Sequence, residues 1–139
     1  MRKMLGFLWF ALWLMPGSVC MGQDSTLVQA ARKEGKVVWY TSLALPSSTS
    51  IAHFFRTKYA GIDVEVHRTG SQRVLQRVMQ ESSAGIKTVD VIHTSDAGHF
   101  VLMKEKGMLL KYTPQGTAPF PAGFKDKDGF YFGMRRRYL

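Results

Sequence analysis

Hydrophobic and polar positions alternate with two periods along the chain. Leu27, Val28, Ala30 and Ala31 follow a cap candidate, Asp24 or Ser25, and precede Gly35, which predicts a first helix. Val37 to Tyr40 in "KVVWYTS" are β-branched or aromatic and predict a strand. In "LPSSTSIAHFFRTKYAG", Pro46, Ser47 and Ser48 are start signals. Ile51, Phe54, Phe55 and Tyr59 then recur at helical spacing, and Gly61 stops the helix. Ile62, Val64 and Val66 alternate along a second strand. Val74, Leu75, Val78 and Met79 form the apolar face of a helix closed by Gly85. "TVDVIHT" is a third strand, and "SDAGHFVLMKEKG" a helix with Phe100, Val101 and Met103 facing inward and Gly107 at its end. "MLLKYTP" predicts a short extended segment, Pro114 to Gly129 a loop, and "GFYFGM" one more strand.

Strands that alternate with helices predict βαβ units: an α/β fold with a parallel-type sheet and flanking helices. Ligands of such sheets bind beyond the carboxyl ends of the strands. Three strand ends here carry small polar residues: Thr41 and Ser42; Thr69, Gly70 and Ser71; and Thr94, Ser95 and Asp96. Free N–H groups at the helix starts that follow suit an anion or a hydroxyl-bearing ligand, and Gly70 would let the backbone approach it closely. Thr41, Ser42, Gly70, Ser71, Ser95 and Asp96 are therefore the candidate ligand-binding residues. Ser71 and Asp96 are equally candidate helix caps, a role compatible with facing a ligand.

Other chemistry lacks its motif. No G-x-S-x-G elbow supports Ser71 as a nucleophile, and "TGSQRVLQ" lacks the Gly-Lys-Ser/Thr ending of a phosphate loop. His93, Asp96 and His99 are metal-ligand types spaced three apart, but a strand–helix turn separates them and no HExxH-like pair exists. Asp126 and Asp128 alternate with Lys125 and Lys127 and read as a solvated loop. No catalytic residue, metal site or cofactor is assigned. His53 and His67 read as partly exposed, and Tyr40 and Tyr59 as core or interface aromatics.

Composition narrows the class. With 139 residues, 45% hydrophobic and 21% charged, the chain is globular and long enough for one core. Of 19 Lys and Arg residues, Arg2, Lys3, Arg135, Arg136 and Arg137 sit at the ends, leaving 14 against 10 acidic residues. That mild excess, without a basic stripe interleaved with aromatics, argues against nucleic acid. The N-terminus carries Arg2 and Lys3, an apolar run from Met4 to Met15, and then Pro16, Gly17 and Ser18. Charge, short apolar core and small residues in that order mark residues 1–22 as a secretory signal peptide, because a membrane span needs about 20 apolar residues. The sole cysteine, Cys20, falls within it and is a candidate for lipidation. The segment 23–139 then has no disulfide or thiolate chemistry.

The segments "AARKEGKVVWYTSL", "VEVHRTGSQRVLQRVMQESSAGIKTVDVIHTSDAGHF" and "KDKDGFYFGM" together resemble the N-terminal part of bacterial extracellular solute-binding proteins of ABC importers, in the iron(III)-binding-protein-like branch. The resemblance runs from Leu27 to Met134 and is most specific over 64–100. It implies a partial lobe of a type II periplasmic-binding-protein fold, in which two α/β lobes close on a small molecule or ion. It also implies a periplasmic location, an ABC permease in the inner membrane as partner, and no enzymatic activity. The family's ligand loops follow the strands of the first lobe, which again selects Thr41, Ser42, Gly70, Ser71, Ser95 and Asp96. Family members carry a second lobe, and the ending "FGMRRRYL" departs from the apolar strand expected there, so 23–139 is read as a truncated, weakly binding or non-binding first lobe. The alternative is a small periplasmic enzyme or metal-handling protein on a flavodoxin-like sheet.

Overall fold

The computed structural model describes residues 22–134. The expected signal segment, with Cys20, and Arg135–Arg137 lie outside the described residues, Gly22 excepted. The order is α1 (Gly22–Glu34), β1 (Lys36–Thr41), α2 (Leu45–Lys58), β2 (Asp63–Arg68), α3 (Ser71–Ser83), β3 (Val91–His93) and α4 (Ala97–Glu105). Single 3-10 turns follow at Gln115–Thr117 and Ala122–Phe124. The sheet has the order β2-β1-β3, with both pairings parallel. The α/β parallel sheet with helices on its faces is thus the one the periodicities predict. No helix among the described residues is long and apolar enough to cross a membrane.

The central strand organises the core. Its side chains alternate, and both of its faces are covered, as expected of a parallel sheet. Val38 and Tyr40 pack with Val74, Leu75 and Val78 of α3 and Met103 of α4. Trp39 points the other way, to Ala52 of α2 and Val64 of β2. The register places Trp39 between Val66 and Val91, and Thr41 between Arg68 and His93. Gly35 joins α1 to β1 at φ +76°, a left-handed conformation that costs a glycine nothing.

Several expectations are corrected. Over the described residues α1 runs Gly22–Glu34 and already includes Asp24 and Ser25, which the sequence places at its start, and Leu27 is exposed. α2 turns Ser48, Ala52 and Phe55 to the sheet, leaving Ile51 and Phe54 at 45% and 68% exposure. The small residues let the helix approach bulky Trp39, and Ser48 satisfies its own hydroxyl on the Leu45 carbonyl at 3.0 Å. On α4, His99 rather than Val101 is buried, while Phe100 stacks on Tyr131 with centroids 5.5 Å apart.

β3 is shorter than the apolar run, for a specific reason. The Val38 N–H donates to Asp90 Oδ2 at 2.8 Å, and Asp90 N–H donates to the Val38 carbonyl at 3.0 Å. A carboxylate thereby replaces a backbone acceptor, and regular pairing starts one residue later.

Met108 to Pro114 form no strand, although Met108 and Leu109 pack on the core. "GFYFGM" supplies a single antiparallel bridge, Lys125 to Phe132, across a turn at Asp126–Gly129. The Asp126/Asp128 pair is not simply solvated. Lys104 of α4 donates to Asp126 at 2.7 and 2.9 Å and to Asp128 at 2.7 Å, and the Asp126 side chain is 6% exposed. Bonding to Lys104 holds the Asp126 carboxyl below the usual carboxylate range, against the opposing effect of desolvation.

Candidate binding edge at the strand ends

All three strands point their carboxyl ends to one edge, and the loops leaving them are bonded to one another. The Thr69 N–H donates to the Thr41 carbonyl at 3.0 Å, and the Ser42 N–H to the His93 carbonyl at 3.1 Å. These bonds continue the parallel ladders one residue past β1 and β2. The Ser95 N–H donates to Ser71 Oγ at 3.1 Å, and the two hydroxyls lie 2.8 Å apart. Residues from three separate loops therefore share one edge.

The six candidates divide by depth. Thr41 is fully buried, and its Oγ1 accepts the Leu43 N–H at 3.1 Å while lying 3.3 Å from His93 Nδ1. It shapes the first loop from below. Ser42 Oγ is also buried, with no hydrogen-bond partner among the described residues. Gly70 is the N-cap of α3 in extended backbone, at φ −68° and ψ 150°. A Cβ added there would meet nothing within 4 Å, so Gly70 faces open space. Ser71 occupies the first helical position rather than the cap and spends its oxygen on Ser95. Asp96 caps α4, with Oδ1 accepting the Gly98 N–H at 2.8 Å, and its Oδ2 lies 3.5 Å from His99 Nε2. Gly70, Ser95 and Asp96 are exposed.

The trio His93, Asp96 and His99 does not converge. His93 faces Thr41, and only His99 meets Asp96. Burial lowers the pKa of His93, with a backbone hydrogen bond acting the other way. His99 Nδ1 is buried without a partner among the described residues.

A second cluster, missed in the sequence, lies where β1, β2 and α3 meet. The buried Tyr40 hydroxyl donates to Glu81 Oε1 at 2.8 Å, and Arg77 Nε donates to the same oxygen at 2.7 Å. The Arg77 guanidinium lies 4.3 Å over the Tyr40 ring, a cation–π arrangement, and its Nη1 lies 3.4 Å from His67 Nδ1. Burial, and then the Glu81 carboxylate, push the Tyr40 phenol up to about 12. Desolvation raises the Glu81 pKa, but the bonds from Arg77 and Tyr40 outweigh it and the net shift is downward. The visible signal was the i, i+4 pair Arg77/Glu81 on the amphipathic α3.

No protein-family model matches the chain, and no curated protein matches it either. Among solved structures, iron-bound HitA from Pseudomonas aeruginosa is similar at a TM-score of 0.60 and 20% identity, over 68% of this chain and 30% of that one. The Trichodesmium protein FutA (IdiA), in complex with iron and citrate, is similar at 0.61 and 22%, over 71% and 31%. The ferric binding protein from Campylobacter jejuni gives 0.57 and 23%, over 67% and 29%. The chain spans about 30% of the length of these proteins. Its described residues have the fold of part of an α/β lobe of iron-binding proteins of this kind.

Proposed function

We propose that the chain is the solute-capturing part of an extracellular binding protein of an ABC-type importer, taking iron(III) or a small organic ion. The observation that carries this reading is the Ser71–Ser95 contact, which ties the loops after β2 and β3 into one polar edge. The likeness in fold to an iron-bound and a ferric binding protein supports it. On this reading the protein acts in the periplasm, with an inner-membrane permease as partner, and binds without catalysing a reaction. Gly70, Ser71, Ser95 and Asp96 face the solute, and Thr41 and the buried Ser42 hydroxyl lie beneath them in the first loop.

One lobe alone offers an open, solvated half-site, whereas a small-ligand site gains affinity by enclosing its ligand. Weak binding by the 139-residue chain is therefore expected. The test is titration with ferric citrate, read as paramagnetic broadening of amide resonances. Broadening centred on Ser42, Ser71, Ser95 and Asp96 supports the reading. Broadening centred elsewhere, or nanomolar affinity by calorimetry, overturns the half-site account.

A further inference from the structure

Among the described residues the sheet ends on β2, and only part of that margin is closed. The Asp63 N–H donates to the Gly35 carbonyl at 2.9 Å and the Thr69 N–H to the Thr41 carbonyl at 3.0 Å, so the odd-numbered residues of β2 make the ladder to β1. Val64, Val66 and Arg68 therefore turn their N–H and C=O groups outward. At Val64, side chains take both groups. Its N–H donates to Asp63 Oδ1 at 2.8 Å, and its carbonyl accepts from Arg56 Nη2. Arg56 Nε also donates to Asp63 Oδ1 at 2.6 Å, which holds this plug together. The outward N–H and C=O groups of Val66 and Arg68 have no partner among the described residues. At Gly70 the chain leaves for α3. An added strand thus meets four free peptide groups on two residues, between Arg56 at one end and α3 at the other.

The side chains beside this open stretch are cationic on both faces of the sheet. On the face of α2, Arg68 Nε donates to the Leu43 carbonyl at 3.1 Å, and its two Nη atoms have no partner among the described residues. On the face of α3, His67 Nδ1 lies 3.4 Å from Arg77 Nη1. The carboxylates there are already engaged: Glu81 with Arg77 and Tyr40, and Glu65 with Lys36 and His67. Successive side chains of a strand point to opposite faces. One added strand can therefore set a carboxylate against Arg68 and the next against His67.

Two occupants fit poorly. α2 lies over β2, with Ala52 on Val64 and Phe55 and Val66 packed around them. A second copy paired edge to edge would bring its own α2 within about one strand spacing, roughly 4.8 Å, of this one. Helices pack no closer than about 8 Å. The chain's own cationic residues Arg135–Arg137 carry the same sign as the edge. A lone acidic strand meets neither obstacle. We propose that the open edge of β2 takes up a short extended acidic segment of a partner protein as an added antiparallel strand, by pairing with Val66 and Arg68. This interaction is independent of the solute-binding reading.

The experiment titrates the isotope-labelled full chain with the peptide acetyl-Thr-Glu-Glu-Val-Thr-amide, whose residues in antiparallel order stand opposite Thr69, Arg68, His67, Val66 and Glu65. Saturable shifts centred on the Val66 and Arg68 amides are expected, with slower hydrogen exchange at both. The same peptide N-methylated at its valine loses the donor to the Val66 carbonyl and should bind about ten-fold more weakly, the worth of one hydrogen bond. Replacing both of its glutamates by lysine should abolish saturation. These probes leave the protein unaltered, so no effect on folding enters. No shifts, shifts centred elsewhere, or equal binding of the N-methylated or lysine peptide overturn the proposal. So does a second copy at the edge, seen as shifts of the Val66 and Arg68 amides with protein concentration alone. Protection of both amides in the dilute free chain, the mark of its own tail in place, overturns it as well.

Discussion

Asp90 grips both polar atoms of Val38, taking its N–H on Oδ2 at 2.8 Å and giving its own N–H to the Val38 carbonyl at 3.0 Å. A side chain thus begins the β1–β3 pairing. Asp90→Ala leaves the Val38 N–H without its acceptor and is expected to cost about 1–3 kcal/mol. Asp90→Asn keeps a carbonyl oxygen and should recover part of the loss. Urea midpoints at unchanged slope check both. A midpoint for Asp90→Ala equal to the parent's would show that the bond adds nothing.

The Ser71 and Ser95 hydroxyls clip two loops together at the edge of the fold. Ser71→Ala removes the acceptor of the Ser95 N–H, which is exposed enough for water to replace it. The expected cost is therefore small, about 0.5–1 kcal/mol. The sharper readout is amide hydrogen exchange, which should quicken at Ser95 and remain as in the parent at Tyr40.

The Tyr40 phenol sets an alkaline limit. Its folded pKa of about 12 stands above its ordinary value of 10.0. The unfolded chain therefore loses the proton more readily. Stability from this group is whole below pH 10.0 and is lost as pH rises towards about 12. Tyr40→Phe should flatten that part of the stability curve, and at neutral pH it should cost about 1–3 kcal/mol for the lost bond to Glu81.

His93 works at the opposite end. Burial lowers its pKa, so protonation favours the unfolded chain. Stability from His93 is present above the ordinary histidine pKa of about 6.5 and falls as pH drops from there to the folded value. His93→Gln should weaken the pH dependence in that window, as followed by thermal midpoints between neutral and mildly acidic buffers.

The two faces of α2 and α4 separate core from surface. Met103 is completely buried, and Met103→Ala should cost about 2–5 kcal/mol. Phe54→Ser, on the outer face of α2, should stay within about 0.5 kcal/mol of the parent. A large loss from Phe54→Ser would mean that α2 presents Ile51 and Phe54 inward, as their spacing alone suggests.

That contrast shows where the sequence was legible. β1 and α3 were readable because strong local patterns, Val37–Tyr40 and Val74–Val78, agree with the burial they meet. The inward face of α2 was not, because large apolar side chains dominate a periodicity count while Ser48 and Ala52 make the close contact. The short extent of β3 depends on the Asp90 carboxylate standing in for backbone, which no propensity encodes. The candidate edge was legible as three polar strand ends. The contact between Ser71 and Ser95, 24 residues apart, needed the topology. The Arg77–Tyr40–Glu81 cluster was missed because a tyrosine closing the apolar run Val37–Trp39 reads as plain core until its hydroxyl is seen to reach a carboxylate.

β1 is bonded along both margins and shielded above and below, while α1 at one end and the turn at Asp126–Gly129 at the other touch solvent. In deuterated water the Trp39 and Tyr40 amides should be the last to be labelled, at a rate set by unfolding of the whole domain. Their protection is thus a direct gauge of global stability, independent of any solute.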